Sequence, residues 1–340
     1  MIVLALCVHG AVPISGDLRF ERTNRTLLDR GGPGSFDECQ VKYPCVLKVG
    51  DEWWMWYNGR AKDCFTGQIG LAKSPDGLAW TKANGGQPVF HVGAAGTFDS
   101  TKVDHPAVLR FGGKFHMWYT AGPDQGGDYR IGYATSPDGL AWTRENGGKP
   151  VLGPGAKGKF DDSVVLHPAV VRDQQGVLHL WYNGVGPLKK FRVGHATSRD
   201  GIGWTRQNNG DAVLEPGEVE GRREDYVYNV MVLLEAGTYH VWISSAINHP
   251  PREYRDHANA IVYASSKDGT HWRRAGKPVF YNGPRGTIDE YSAFAPYVVR
   301  RDDGLWMYYS CGSLAEVPSG SDNRRFDTSL AIHRCGARRT

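Results

Sequence analysis

The stretch "KVDHPAVLRFGGKFHMWYTAG" (residues 102–122) decides the fold, because nearly the same phrase recurs along the chain. It returns as "VLHPAVVRDQQGVLHLWYNGV" (165–185) and is preceded by "VKYPCVLKVGDEWWMWYNGR" (41–60). Repeats of this length that contain several strands are typical of propeller blades. Alignment on the proline gives steps of 62, 62, 62 and 66 residues between five equivalent positions, which are Pro44, Pro106, Pro168, Val230 and Pro296.

Each repeat reads as four short strands. In the second repeat these are "PAVLRF", "HMWYTAG", "RIGYATS" and "GLAWTR". An Asp-Gly turn joins the last two, because Asp accepts hydrogen bonds within a turn and Gly tolerates a positive φ. We therefore interpret four aspartates as turn formers, namely Asp76, Asp138, Asp200 and Asp268. The tryptophans that recur in every repeat are expected to pack between blades, and they are Trp56, Trp118, Trp181, Trp242, Trp80, Trp142, Trp204 and Trp272.

The predicted fold class is all-β, a five-bladed β-propeller with four antiparallel strands per blade. The fifth repeat ends one strand short, whereas "SGDLRFERTNRTLL" (15–28) resembles a fourth strand without its partners. An N-terminal strand near Leu18 to Arg22 is therefore expected to complete the last blade, which would pair an otherwise open edge. Residues 15–340 are predicted to form one domain, and residues 1–14 either a signal segment or a disordered leader.

Composition narrows the class of partner. The formal net charge of +4 is small for 40 basic and 36 acidic residues, and no basic block occurs, so we expect no nucleic-acid ligand. No stretch reaches the roughly 20 apolar residues that span a membrane. The six cysteines lack zinc-site spacing, so they are read as free thiols or, in an exported protein, as one bridge such as Cys39 with Cys64. We expect a monomer that is secreted or extracytoplasmic, with the cytoplasm as the alternative.

The residues just before each proline should converge at the propeller axis, because the innermost strand of every blade starts there. These positions vary chemically while the scaffold around them repeats, as expected of a functional site. Two residues before the proline stand Lys42, Asp104, Leu166, Tyr228 and Phe294. One residue before it stand Tyr43, His105, His167, Asn229 and Ala295.

Further acids and cations are expected near the same rim. The aspartates seven residues before the proline recur in four repeats and are interpreted as structural. They are Asp37, Asp99, Asp161 and Asp289, with Arg223 in the fourth repeat. "RREDYVYN" and "IDEYSAFAP" combine acids with aromatics, a composition common in sugar sites, so the candidates there are Glu224, Asp225 and Glu290. The guanidinium groups of Arg130 and Arg192, with Lys189, Lys190 and the charged segment 248–260, suit an anionic ligand or phosphate.

The pattern "PAVL…MWYTAG…IGYATSPDGLAW" resembles the five-bladed propeller glycoside hydrolases and their relatives, from about residue 15 to residue 333. That superfamily includes arabinanases, xylosidases, invertases, levansucrases and mannoside phosphorylases. The resemblance implies carbohydrate chemistry. It also implies an Asp directly before the first proline, a second Asp that tunes the acid, and a Glu two residues before a later proline. Glycosidic cleavage by such enzymes uses one protonated and one ionised carboxyl.

This chain departs from that pattern. Tyr43 stands where the superfamily has its first Asp, and the donor motif is matched only by Asp104, with Asp in place of Glu. Either the second acid is relocated, with Glu224, Asp225 or Glu290 opposite Asp104, or the propeller has lost hydrolysis. His105 and His167 could bind sugar hydroxyls or, with Asp104, a metal ion. No cofactor is expected, and a structural or axial metal ion is left as an open alternative.

The sequence thus predicts a glycoside hydrolase that acts on an oligo- or polysaccharide, with anionic substituents as one option. Its catalytic pair would be Asp104 and one of Glu224, Asp225 or Glu290. A non-catalytic glycan-binding propeller and a glycoside phosphorylase remain the alternatives. The residues expected to bind the substrate are Lys42, Tyr43, His105, Arg130, His167, Arg192, Tyr228, Asn229 and Tyr291.

Overall fold

A computed structural model describes residues 14, 18–122, 128–248, 257–313 and 326–334. These residues form an all-β structure, as predicted. Their antiparallel strands fall into five groups, of which the first two are joined into one sheet by a parallel pair between Gly67 and Lys102. The first group is β2 (Gln40–Val49), β3 (Glu52–Arg60), β4 (Gly67–Ser74) and β5 (Thr81–Lys82). The second is β6 (Lys102–Phe111), β7 (Lys114–Gly122), β8 (Arg130–Ser136) and β9 (Thr143–Arg144). The third is β10 (Val164–Arg172), β11 (Leu178–Val185), β12 (Arg192–Ser198) and β13 (Thr205–Arg206).

The fourth group is β15 (Arg222–Glu235), β16 (Thr238–Asn248), β17 (His257–Ser266) and β18 (Arg273–Arg274). Two short strands add to it, β14 (Glu218–Val219) on β15 and β19 (Phe280–Tyr281) on β17. The fifth group is β20 (Ser292–Arg301), β21 (Gly304–Gly312), β22 (Asp327–Arg334) and β1 (Glu21–Leu28). Short 3₁₀ turns follow the outermost strands of the first three groups, at Asn84–Gly86, Asn146–Gly148 and Asn208–Gly210. No helix in the described ranges is long and apolar enough to cross a membrane.

The N-terminal strand completes the fifth group. β1 pairs antiparallel with β22, with Glu21 opposite Ile332 and Leu28 opposite Thr328. The strand therefore lies slightly later than the predicted Leu18 to Arg22. Leu18 itself is buried in the apolar cluster between the fourth and fifth groups instead of pairing in a ladder. Residues 1–13, which include most of the predicted leader, lie outside the described residues.

The Asp-Gly turns are built as the repeat predicts. The Oδ1 atom of Asp138 accepts the backbone N–H groups of Leu140 and Ala141, at 2.9 Å each. Gly139 has a φ of +76°, and a Cβ there would lie 2.9 Å from Trp56, so the turn requires glycine on both counts. The indole N–H of Trp56 donates to the Gly139 carbonyl at 3.1 Å, which ties the first group to the turn of the second.

The five groups pack in sequence, and the last also packs on the first. Each of five buried apolar clusters joins two consecutive groups, and one of them joins Met55 and Tyr57 of the first group to Trp306 and Tyr308 of the fifth. The innermost strands contact one another in the same cyclic order, β2 with β6, β6 with β10, β10 with β15, β15 with β20, and β20 with β2. This order brings residues that are far apart in sequence to one centre.

Every innermost strand bulges at the residue before the aligned proline or valine. The register of each ladder shifts there, and the residue takes a left-handed backbone conformation with φ between 48° and 56°. Such a conformation is unfavourable for a non-glycine residue unless its surroundings hold it, and it re-aims the side chain. The five bulge residues are Tyr43, His105, His167, Asn229 and Ala295. A narrow cavity of about 30 Å³ beneath them is lined by residues of all five innermost strands.

Candidate active site

Three bulge residues from three different strand groups stack at the centre. The ring of His105 lies 4.6 Å from that of Tyr43 and 4.7 Å from that of His167, measured between centroids. The edge of Phe294 meets Tyr43 at 5.8 Å. The pre-proline positions therefore meet in space, as the repeat led us to expect.

Asp104 lies beside this stack and is buried, with 5% of its surface exposed. Its Oδ2 atom accepts a hydrogen bond from Arg60 Nη2 at 2.7 Å, and its Oδ1 atom accepts the backbone N–H of His105 at 2.9 Å. Burial by itself raises the pKa of Asp104, but the neighbouring cations, Arg60 foremost, outweigh it and hold that pKa well below the ordinary value. In the ligand-free protein Asp104 is therefore ionised.

Three basic side chains, Lys42, Arg60 and Lys102, surround Asp104, and we call them the basic cluster. Lys42 and Lys102 are buried, and Lys102 Nζ donates to the Tyr129 hydroxyl at 3.0 Å. Burial lowers the pKa of Lys42 well below its ordinary value, and Arg60 lowers it further against the opposing charge of Asp104. Three basic side chains thus lie around one carboxylate in a buried site, an arrangement that favours binding of an anion.

Arg60 and Lys102 are site residues that the sequence pattern alone did not predict. Both stand at positions that vary between repeats, Arg60 four residues after Trp56 and Lys102 four residues before Pro106. The same comparison of columns that singled out the pre-proline residues could have found them.

Burial keeps both central histidines neutral near pH 7. It lowers the pKa of His167 to about 4, although Asp104 opposes the shift. It also lowers the pKa of His105 well below the ordinary value, and His167 adds to that effect. Neutral imidazoles can donate and accept hydrogen bonds, as sugar hydroxyls require. Within the described ranges, no group of three or more His, Cys, Asp or Glu residues is arranged to hold a metal ion.

A line of aromatic rings leads outward from the central stack. Phe191 stacks on His167 at 6.1 Å between centroids and contacts Tyr226 at 6.1 Å and Tyr228 at 6.3 Å. Tyr228, one of the predicted substrate-binding residues, donates its hydroxyl to Asn259 Oδ1 at 3.0 Å. Tyr226 is 41% exposed, so the line ends at the surface. Flat rings in such a row offer apolar faces to a ligand.

Glu224 lies in a different environment from Asp104. It is fully buried, and Arg274 Nη2 lies 2.7 Å from each of its carboxylate oxygens. The hydroxyl of Ser245 and the backbone N–H of Gly217 also donate to it, at 2.7 and 2.8 Å. In the third group, Asp161 is held in a similar way by Arg206 and the hydroxyl of Tyr182. Glu224 therefore has the surroundings of a recurring structural carboxylate.

Glu290 supports a turn. Its Oε2 atom accepts the backbone N–H of Gly286 at 2.8 Å, and Glu38 accepts that of Gly34 in the equivalent turn of the first group at 2.7 Å. The Oε1 atom of Glu290 also accepts the Ser313 hydroxyl at 3.2 Å. Asp225 is partly buried on β15, and Tyr291 is partly buried just before β20.

The two predicted rim arginines have acidic partners close by. Arg130 Nη2 lies 2.7 Å from Asp128, and Arg192 Nη1 lies 3.3 Å from Glu215. Asn229 donates its backbone N–H to Asn183 Oδ1 at 2.9 Å. Most of the charged segment 248–260 lies outside the described residues.

A larger cavity, of about 620 Å³, lies elsewhere. It is bounded by the N-terminal segment and the fourth group, with basic side chains from Arg19, Arg273, Arg274 and Lys277. No Asp or Glu is among the described residues that line it, whereas glycosidic cleavage by the usual route uses carboxyl groups. Chemistry rather than volume therefore identifies the candidate site at Asp104.

Comparison with known sequences yields partial matches, and no family model matches the chain. An uncharacterized protein of Mycobacterium tuberculosis is 29% identical over 195 residues, which cover 55% of this chain and 61% of that protein. A 1,2-β-oligomannan phosphorylase of Thermoanaerobacter is 28% identical over 171 residues, which cover 48% of this chain and 54% of the enzyme. The chain thus spans less than two thirds of the length of each relative.

Comparison with solved structures covers nearly the whole chain. A protein described as an RGII complex superposes with a TM-score of 0.70 at 19% identity, over 93% of this chain and 92% of the other. A structure from the GH130 family of mannoside phosphorylases superposes with a TM-score of 0.69 at 15% identity, over 94% of this chain and 95% of the other. That family is described as containing glycoside hydrolases that target β-1,2 mannosidic linkages in Candida mannan. At such identities the likeness concerns the fold. This chain therefore resembles, in its fold, the glycoside hydrolases and mannoside phosphorylases of the five-bladed propeller superfamily.

Proposed function

We propose that the five strand groups are the blades of a closed five-bladed propeller. The cyclic contacts of the innermost strands support this, as do the apolar clusters that join each group to the next and the fifth to the first. In such a ring Asp104 and the basic cluster lie together at the axis, where a small ligand can be surrounded on all sides.

We further propose that the protein is a carbohydrate-active enzyme that cleaves a glycosidic bond with inorganic phosphate. One observation carries this proposal: among the described residues at the centre, one buried carboxylate, Asp104, lies with three basic side chains. Hydrolysis by the usual route needs two carboxyl groups across the bond. Phosphorolysis needs only one, because phosphate supplies the nucleophile. The contacts of Glu224 and Glu290 support structural roles for those two acids in the fourth and fifth groups.

In the proposed reaction a phosphate oxygen attacks the anomeric carbon, the bond from that carbon to the glycosidic oxygen breaks, and the leaving oxygen takes the proton of Asp104. The products are a sugar phosphate and a shortened glycan. Asp104 is ionised in the free protein, so this proton comes from dihydrogen phosphate, which passes it to Asp104 and then attacks as hydrogen phosphate. The negative charge that phosphate adds offsets the cations that hold the pKa of Asp104 low, and this favours the transfer. The same charge would favour the ammonium form of Lys42.

The glycan is proposed to lie against Tyr43, His105 and His167, whose rings and neutral imidazoles suit a sugar with its hydroxyl groups. The relative that acts on 1,2-β-oligomannan makes β-1,2-linked mannosides the first substrates to test. We also propose that the protein functions outside the cytoplasm, and the disulfide between Cys39 and Cys64 supports this. A monomeric state remains a prediction.

Turnover of β-linked mannosides with and without inorganic phosphate tests the proposal. The wild type should form a sugar phosphate only when phosphate is present, and Asp104→Asn should lower the rate at least about 100-fold by removing a general acid. Asp211→Asn is the matched control, because Asp211 pairs with Lys159 on the exposed surface. Release of free sugar without phosphate would indicate hydrolysis, and binding without any product would indicate a glycan-binding protein. Either result would overturn phosphorolysis.

A further inference from the structure

The bulge residues are tied to the preceding strand group by one recurring hydrogen bond. In four of the five groups, the bulge N–H donates to a side chain on the second strand of the group before it. The four bonds run from Tyr43 to Ser310 Oγ (2.9 Å), from His167 to Thr120 Oγ1 (2.8 Å), from Asn229 to Asn183 Oδ1 (2.9 Å) and from Ala295 to Ser244 Oγ (2.9 Å). Every acceptor stands two residues after the inner Trp or Tyr of its strand.

Asn58 occupies this acceptor position in the first group, yet it does not make the bond. Its Nδ2 atom donates to the carbonyls of Gln68 and Val103, at 3.3 and 3.2 Å. Asn183 makes the same two kinds of bond, to the carbonyls of Arg192 and Val227. This pattern assigns the amide orientation of Asn58. Its Oδ1 atom is buried and has no hydrogen-bond partner among the residues that the structure describes.

The N–H group that should reach Asn58 is that of His105, and Asp104 takes it. The Oδ1 atom of Asp104 accepts the His105 N–H at 2.9 Å, while Oδ2 is held by Arg60. The one group in which the recurring bond is missing is therefore the one that carries the central carboxylate. A buried acceptor left without a partner is costly, so its presence here calls for a physical reason.

We infer that the His105 N–H has two alternative acceptors, and that Asn58 is the positioning residue that frees Asp104. In the ligand-free protein Asp104 Oδ1 holds the N–H. When a ligand engages Asp104, the carboxylate turns about its bond to Arg60, and Asn58 Oδ1 accepts the His105 N–H, as its counterparts do in the other four groups. The number of unpaired buried groups does not rise in this exchange, so it costs little free energy. The role of Asp104 rests on the proposed function.

A double-mutant cycle measured by thermal unfolding tests the two acceptors without any ligand. Asn58→Ala should lower Tm little in the wild type, beyond the loss of the two Nδ2 bonds. In an Asp104→Ala background Asn58 becomes the acceptor of the His105 N–H. Asn58→Ala should therefore lower Tm by roughly 2 °C or more beyond its effect in the wild type. Asp104→Asn keeps a carbonyl acceptor and should show little of this coupling. Additive effects of Asn58→Ala and Asp104→Ala would overturn the inference.

Asn183→Ala is the matched control, because its Oδ1 already accepts the N–H of Asn229. In the wild type, Asn183→Ala should lower Tm more than Asn58→Ala does. In the Asp104→Ala background, Asn183→Ala should lower Tm by the same amount as it does in the wild type.

The amide resonance of His105, followed by NMR during a titration with inorganic phosphate, tests release of the carboxylate. Saturating phosphate should shift this resonance in the wild type, and Asn58→Ala should change the size of the shift. Bound phosphate that leaves the resonance unmoved would overturn the inference. If no phosphate binds at all, the proposed phosphorolysis fails, while the mutant cycle still decides whether Asn58 and Asp104 share the His105 N–H.

Discussion

Replacing Glu224 by glutamine separates a structural carboxylate from a catalytic one. Glu224 is fully buried and accepts hydrogen bonds from Arg274, Ser245 and the backbone of Gly217. Glutamine keeps one acceptor oxygen and turns an NH₂ group toward these donors. Breaking a buried ion pair costs about 3–5 kcal/mol, and we take the lower end because the Arg274 side chain is 23% exposed. At about 2 °C per kcal/mol for a chain of this size, Tm should fall by about 6 °C.

Asp161→Asn is the matched control for this change. Asp161 is also fully buried, and it pairs with Arg206, whose side chain is 25% exposed, and with the hydroxyl of Tyr182. Both variants should lose a similar amount of Tm in calorimetry. Both should keep wild-type turnover when assayed about 20 °C below their own Tm. A loss of turnover above about 100-fold in Glu224→Gln, with Asp161→Asn active, would refute the structural role and return Glu224 to the catalytic pair.

Three further predictions concern other parts of the molecule. Tyr226→Ala should weaken the binding of long oligosaccharides several-fold more than the binding of disaccharides, as measured by calorimetry, because Tyr226 lies at the surface end of the line of aromatic rings. Leu78→Ala also removes an exposed apolar side chain and should change neither affinity. Burial lowers the pKa of His195 to about 3, so below about pH 6.5 the unfolded chain binds a proton at His195 that the folded protein does not. Tm should therefore fall as the pH drops from about 6.5 toward 3. His195→Gln should make Tm depend less on pH in this range, and an unchanged dependence would contradict the assignment. Reduction of the bond between Cys39 and Cys64, 25 residues apart, should cost about 3.5 kcal/mol of unfolding free energy, which calorimetry should show as a lower Tm in dithiothreitol. An unaltered Tm would argue that the bond is absent in solution.

The fold could be predicted from the sequence because the residues that form its turns and its packing recur from repeat to repeat. The Asp-Gly turns need glycine at a positive φ, and the inner tryptophans Trp56, Trp118 and Trp181 donate their indole N–H to the carbonyl of such a glycine, so both recur with the same spacing. The incomplete fifth repeat likewise required a strand from elsewhere, and β1 supplies it. Its bounds differed by a few residues, because nothing in the local pattern says where pairing with β22 begins.

The site was less accessible, because its partners are set by packing between strand groups. The choice between free thiols and a bridge at Cys39 and Cys64 stayed open in the sequence, whereas the structure places the two sulfurs in a disulfide. Asp104 was singled out by its position, yet its partner Arg60 lies 44 residues away in another group. The alignment of the repeats places Arg223 at the position of the recurring aspartate, but in the structure Glu224 occupies that place. The ladder of β15 has an extra register shift between Glu224 and Tyr226, which column counting cannot foresee.

A crystal structure of the protein with inorganic phosphate and a β-1,2-linked mannooligosaccharide tests the central claim most directly. Phosphate should lie within about 3 Å of Lys42 or Lys102, the usual length of a charge-assisted hydrogen bond, with the glycosidic oxygen in reach of Asp104. A glycan bound instead in the cavity beside Arg273 and Lys277, with the centre at Asp104 unoccupied by either ligand, would contradict it.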